Sequence, residues 1–296
     1  MALLLTIPQW SLGRDRVLTS AVEDLIRGAN VSFHYCRSDV DLNRTVTAFS
    51  GKPNHVIGTL YELCAHYFDR IDLNRHVGAF PRIGALDVCP FVEVGGGGWT
   101  GGKEALLSVA RAFGERLART YDLPVFLYER SEGVRSESEL AELRLGGFGG
   151  LMGKKLSSDY GPTQVHPRLG VTYTGVRDFV IALHFTFADA DSRIAKRLAG
   201  SVRRLRQEGD ERFLGVRALA TYLPSRRRGL VSLNLTLPDL TPVDPIVEFL
   251  NQQTRKMYRT PSPAHLVGAI RERDVPGATK LAIAPEQVVS EVRTEA

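Results

Sequence analysis

Cysteine is scarce in this sequence. Cys36, Cys64 and Cys89 are its three cysteines in 296 residues, and none belongs to a CxxC pair. An odd number without tight spacing excludes a disulfide framework and a zinc knuckle, and the expected compartment is the reducing cytoplasm. The seven histidines show neither HExxH nor any other close ligand spacing, so no metal site is expected. There is no G-x-S-x-G elbow and no cysteine with a local catalytic signature. No run of about twenty apolar residues is present, which argues against a membrane partner. The apolar opening, Leu3 to Ile7, lacks a basic flank and a small-residue cleavage site, so it reads as a buried strand rather than a leader. With 43% hydrophobic and 24% charged residues, disorder, collagen and coiled coil are excluded, and the length suggests two domains.

What the sequence does have is arginine, unevenly placed. Lys+Arg total 38 against 33 Asp+Glu, giving a net charge of +5. Up to Phe179 basic and acidic residues balance, so the whole excess falls in the second half. Small polyanions are the partners such a surface attracts. Arginine also suits bidentate capture of carboxylate and phosphate.

Strand and helix patterns alternate along the chain. Helices are expected at about 14–28, with Val17, Ala21 and Leu25 inward, at 53–68, opened by Pro53, and at 104–121, with Leu106, Ala110, Phe113 and Leu117 inward. Strands are expected at 3–7, 31–37, 44–49, 86–94 and 123–128. A helical segment at 136–145 leads into a long polar Gly/Pro-rich loop, 146–170, of the kind that carries function. A second cycle has strands at 171–174, 178–187, 215–222, 230–237 and 265–269 and helices at 191–207 and 243–258. The tail after Arg271 is expected to fray. Two β-α-β-β-α-β cycles predict an α+β fold of two subdomains.

Two motifs are decoys. Gly97 to Glu104 approaches a phosphate-binding P-loop, but Glu104 stands where a magnesium-ligating hydroxyl is needed. The basic run Arg193, Lys196, Arg197, Arg203, Arg204 and Arg206 lies on a helix whose buried face is assigned to Ile194, Leu198 and Leu205. Without interleaved aromatics it reads as a solvated face, not a nucleic-acid site.

Four segments are denser in unusual residues than a core requires: Asp41 to Val46, Ile71 to Phe91, Asp159 to Pro162, and Gly175 to Phe179. The second contains Arg75-His76-Val77-Gly78-Ala79-Phe80-Pro81-Arg82-Ile83-Gly84. In this order and spacing they resemble the glutamate formimidoyltransferase (formiminotransferase) family, in its transferase part without the cyclodeaminase domain that some members carry. That resemblance implies transfer of a formimino group between glutamate and tetrahydrofolate, a reaction of one-carbon metabolism and histidine degradation. It implies two ferredoxin-like subdomains, 1–179 and 180–296, with a folate-binding tunnel or cleft at their interface, and a homodimer. Tetrahydrofolate would be a co-substrate, with no metal. The implied folate loop is Gly161, Pro162, Thr163, Gln164, Val165, His166, Pro167, Arg168, Leu169 and Gly170.

One departure bears on catalysis. The family motif runs His-x-Gly-x-His-Pro-Arg, and its second histidine, the base, is replaced here by Phe80. A phenyl ring cannot exchange the proton, and losing a general base costs about 10² to 10⁴ in rate. His76 is then the nearest candidate base, with Arg82 and Arg177 for carboxylates and Asn43 and Arg44 lining the site. The alternatives stay open: His76 as a half-buried histidine bonded to backbone, Arg44, Arg82 and Arg177 as salt-bridge partners, and Asp72 and Asp87 as turn braces. His184 and His265 stand where the family has Asn and Glu, and would serve a transferase of altered substrate. Against all active readings stands a degenerate homologue that binds folate or another anion without turnover.

Overall fold

The computed structural model describes residues 3–95, 102–131 and 142–290. The chain divides into two compact units, one reaching to Arg177 and the other starting at Asp178. The sequence reading put that junction after Phe179.

The first unit is built on a seven-stranded sheet. Its strands are β1 (Leu3–Thr6), β2 (Gln9–Trp10), β3 (Ser32–Asp39), β4 (Arg44–Gly51), β5 (Leu86–Val94), β6 (Val125–Leu127) and β7 (Thr172–Val176). Antiparallel pairing sets β3 beside β4, β4 beside β1 and β1 beside β5. Parallel pairing then adds β7 and β6. Its helices are α1 (Arg16–Gly28), α2 (Pro53–Phe68) and α3 (Gly102–Tyr121). They share one apolar core, in which Trp10 stacks on Tyr67 with centroids 4.4 Å apart and donates its indole N–H to Thr47. Proline at the first turn of α2 needs no N–H there, and Asp15 caps α1 by accepting from Leu18 N.

In the second unit, strands β8 (Ile181–Ala188), β9 (Val216–Leu223), β10 (Arg228–Leu235), β11 (Ala264–Val267) and β13 (Leu281–Ala282) run in the order β13-β11-β8-β10-β9. The helices α4 (Arg193–Gln207) and α5 (Val243–Lys256) connect β8 to β9 and β10 to β11.

Several expectations are corrected. The buried face of α1 is Leu18, Val22 and Ile26, one residue out of phase with the expected row, and Val17 is 83% exposed. In α4, Ala195, Leu198, Ala199 and Val202 are buried, whereas Ile194 and Leu205 are half-buried. The segment 146–170 is a loop as expected, with one 3-10 turn at Gly149–Leu151, but it is anchored by buried Phe148, Leu151, Leu156 and Leu169. The tail after Arg271 is ordered to residue 290. β12 (Ile270–Arg271) pairs with β14 (Val288–Val289), and buried Gln287 donates to the Gly268 carbonyl. The expected helix 136–145 falls outside the described residues except for its last turn, as does the Gly97–Gly101 part of the P-loop-like segment.

Candidate functional site

The stretch between α2 and β5 makes one turn and then runs without regular structure. Asp72 caps a single turn of 3-10 helix, Leu73–Arg75, by accepting from Asn74 N at 3.0 Å and from the Asn74 amide at 2.9 Å. That amide also donates to the Pro167 carbonyl at 2.8 Å. Here Asp72 is the turn brace anticipated from sequence.

Beyond that turn the chain lines a cleft of about 470 Å³. One wall carries Leu73, Asn74, His76, Val77, Gly78, Phe80, Pro81 and Arg82, and the facing wall is Gly146 to Gly149 with Met152. Gly146 and Gly147 have φ of 81° and 60°, and a Cβ at residue 147 would meet Pro81 Cβ at 3.1 Å. The wall therefore approaches as closely as it does because it is glycine.

His76 is oriented from behind. Its Nδ1 lies 3.1 Å from the Ser11 carbonyl and 3.2 Å from the Asn43 side-chain amide. Donation to Ser11 O places the proton on Nδ1 and leaves Nε2 its lone pair. Nε2 is buried and has no hydrogen-bond partner. Burial, then the nearby Arg82 charge, hold the His76 pKa below its ordinary value, so the ring is neutral at pH 7. Gly78 is required beside it: a Cβ there would stand 2.4 Å from the Leu42 carbonyl and 3.0 Å from Nε2.

Near His76 lies a buried charge cluster. Asp87, 1% exposed, accepts Arg82 Nη1 at 3.1 Å and Arg144 Nη1 at 2.9 Å on the same oxygen, Oδ2, while Oδ1 accepts Ile83 N at 3.2 Å. Burial alone would raise the Asp87 pKa, but the Arg144 and Arg82 charges outweigh it and hold the carboxyl down to about 2. Arg82 is 6% exposed, and its Nε and Nη2 have no partner. Burial, followed by the Arg82 charge, lowers Arg44 to about 10. The site thus sets a neutral imidazole near a buried, net cationic cluster, with Phe80, Val77 and Met152 as apolar lining.

The family model for the formiminotransferase domain, N-terminal subdomain, matches residues 3–177, a stretch that contains every residue of the cleft. The chain belongs to the formiminotransferase family. Its relatives include the formimidoyltransferase-cyclodeaminase of Rattus norvegicus, 30% identical over 274 residues, which are 89% of this chain and 49% of that one. The protein of the same name from Dictyostelium discoideum is 28% identical over 89% of this chain and 50% of its own. The glutamate formimidoyltransferase of Thermoplasma acidophilum is 27% identical over 92% of this chain and 89% of its own. The chain spans about half the length of the formimidoyltransferase-cyclodeaminases it matches.

Within this formiminotransferase fold, the residues singled out by sequence fall in different places. His76, Phe80 and Arg82 line the cleft, and Asn43 contacts His76 from behind. Arg44 opens β4 and donates to Gln9 Oε1 at 3.3 Å. None of residues 161–170 lines the cleft, but two of their carbonyls bond to residues that do: Pro167 O accepts the Asn74 amide at 2.8 Å and Arg168 O accepts Leu73 N at 2.9 Å. His166 Nδ1 accepts the backbone N–H of Arg168 and Leu169, and Arg168 donates to the carbonyls of Phe68 and Ile71 at the end of α2. Leu169 and Gly170 are buried, Val165, Pro162, His166 and Arg168 half-buried, and Gly161, Thr163, Gln164 and Pro167 exposed. Arg177, half-buried just after β7, acts electrostatically on Tyr128. His184 and His265 face each other across β8 and β11 in the second unit. Sequence reasoning missed Arg144 and the Gly146–Gly149 wall as site components, although the glycine run was the available signal.

Proposed function

We propose that this chain catalyses transfer of a formimino group between N-formimidoyl-glutamate and tetrahydrofolate, with the unit-1 cleft as the reacting site. The observation that carries the proposal is that two cleft-lining side chains hold buried polar atoms without partners: His76 its Nε2, and Arg82 its Nε and Nη2. Buried polar groups without partners are costly, and ligand groups that pair with them recover that cost. Family membership supports the choice of substrates, and formimidoyltransferase is the activity the relatives are named for. The strand orders support a ferredoxin-like reading of each unit, since split β-α-β crossovers place β1 between β4 and β5, and β8 between β11 and β10.

In this reaction N5 of tetrahydrofolate attacks the amidine carbon, forming the new C–N bond. The N5 proton passes to His76 Nε2, and the same proton is returned to the glutamate nitrogen as its bond to carbon breaks. A neutral imidazole does both transfers near pH 7. Arg82 holds a carboxylate, and no metal is needed for this chemistry.

A second reading has a specific observation in its favour. Phe80, in the position that the family motif gives to a histidine base, puts a phenyl ring in the cleft wall. The cleft would then bind a folate or another small anion without turnover. The two readings separate on one assay: the purified chain is mixed with tetrahydrofolate and N-formimidoyl-glutamate, samples are acidified, and methenyl-tetrahydrofolate absorbance is followed. Product supports transfer; reduced-folate binding by calorimetry without product supports the binder. Neither binding nor product removes both. We also propose a cytoplasmic homodimer without nucleic-acid or membrane partners, as the family resemblance and the charge pattern suggest; among the described residues no helix is long and apolar enough to cross a membrane.

A further inference from the structure

The Arg82 guanidinium is fixed at one end only. Its Nη1 is the nitrogen on the Cδ side of the group, and that nitrogen is the one donating to Asp87 Oδ2. Nε and Nη2 lie on the other edge, where their N–H bonds point the same way in one plane, the side-on fork that matches a carboxylate's two oxygens. Both are buried and neither has a partner. The fork therefore belongs to a cleft-lining side chain that is itself more than nine-tenths buried.

Asp87 decides which edge is offered. Its Oδ1 is fixed by the Ile83 backbone and its Oδ2 is shared by Arg82 and Arg144, so the carboxylate has no freedom to turn toward the Arg82 fork. Arg144 belongs to the stretch just before the glycine wall, so the same oxygen ties that wall to Arg82. Two guanidiniums on one carboxylate leave the triad one positive charge in excess, which a single carboxylate neutralises and a phosphate dianion overshoots.

We propose that the Nε–Nη2 edge of Arg82 is a bidentate seat for one carboxylate of the bound ligand, and that Asp87 is the positioning residue that aims it. This rests on the reading of the cleft as a ligand site and goes beyond it in naming the atoms and the charge selected. Arg82→Lys keeps the charge and loses the fork. Asp87→Asn makes the cleft more positive and loses the anchor.

Calorimetry with glutarate and with inorganic phosphate, on the full chain and both variants checked for native circular dichroism, separates the possibilities. The expected result is tighter binding of glutarate than phosphate by the native chain, and at least tenfold weaker glutarate binding in both variants. Tighter glutarate binding in Asp87→Asn would show that Asp87 only offsets charge, and would overturn its positioning role. Unchanged affinity in Arg82→Lys, or a preference for phosphate, would overturn the seat. Should Asp87→Asn not fold, the ¹H–¹⁵N resonance of Arg82 Nε, assigned by its loss in Arg82→Lys, decides instead: it shifts on adding glutarate, and an unmoved resonance overturns the inference. Formimino transfer by the native chain with an unmoved Arg82 would leave the proposed function standing without this seat. Absence of both glutarate binding and transfer would remove the two together.

Discussion

Asn43 sets its side-chain amide 3.2 Å from Nδ1 of His76, 33 residues along the chain. Its backbone is left-handed, φ 45°, a conformation asparagine tolerates better than most residues, and its Oδ1 accepts the Gly13 N–H at 2.9 Å. One residue therefore closes the turn into β4, satisfies a buried donor and packs its amide against the imidazole, whose Nδ1 proton goes to Ser11 O.

Replacing Asn43 separates these contributions. Asn43→Ala adds left-handed strain and leaves the Gly13 N–H without its partner, for an expected loss of about 1–3 kcal/mol. Asn43→Gly relieves the strain and keeps the loss of the hydrogen bond. Urea unfolding should rank the native chain above Asn43→Gly and Asn43→Gly above Asn43→Ala; equal stability of the two variants would remove the strain argument.

With His76 as the proposed base, its lowered pKa sets the expected pH dependence of transfer. Because burial and the Arg82 charge favour the neutral ring, the base stays competent at pH values below the ordinary 6.5 of histidine. A plot of kcat/KM against pH should be flat around pH 7, fall only below 6.5, and lose that acid limb in His76→Gln. An acid limb centred above 6.5 contradicts the assignment.

Asp87 makes stability depend on pH in a defined window. Its folded pKa of about 2 lies below the ordinary 3.8, so its contribution is complete above the unfolded value and is lost as pH falls toward about 2. The pH-dependent part amounts to about 2 kcal/mol. Asp87→Asn, which strands two guanidiniums, should cost about 3–5 kcal/mol at pH 7. The gap between variant and native chain should narrow between pH 4 and pH 2; a gap independent of pH would show that Asp87 does not titrate as described.

The phase of α1 is testable by truncation. Ile26 is fully buried, so Ile26→Ala should cost about 2–5 kcal/mol. Val17 is exposed, and Val17→Ala should stay within about 0.5 kcal/mol. Thermal melts of the two variants check this, and similar losses would restore the face first inferred from sequence.

That helix shows where sequence reading runs out. Val17, Ala21, Leu25 and Leu18, Val22, Ile26 are adjacent rows, each spaced by four, and local periodicity ranks neither above the other; the core supplied by Trp10 and α2 chooses the second. By contrast α2 and β5 were legible to the residue, because Pro53 marks a first turn and a strand ends at the glycine run after Val94. The order of the tail depends on pairings that no local pattern announces, such as Gln287 with Gly268 and Arg271 with Asp239. In the site, His76, Phe80 and Arg82 are a contiguous motif and could be read. Arg144 reaches Asp87 across 57 residues, and only the folded chain brings them together.

Catalysis by His76 is tested most directly by turnover of tetrahydrofolate and N-formimidoyl-glutamate measured for the native chain, His76→Gln and Phe80→His side by side. It predicts methenyl-tetrahydrofolate after acidification from the native chain and a loss of about 10² or more in rate for His76→Gln. A silent native chain beside an active Phe80→His would contradict it, and would make the cleft a binding site whose base has been lost.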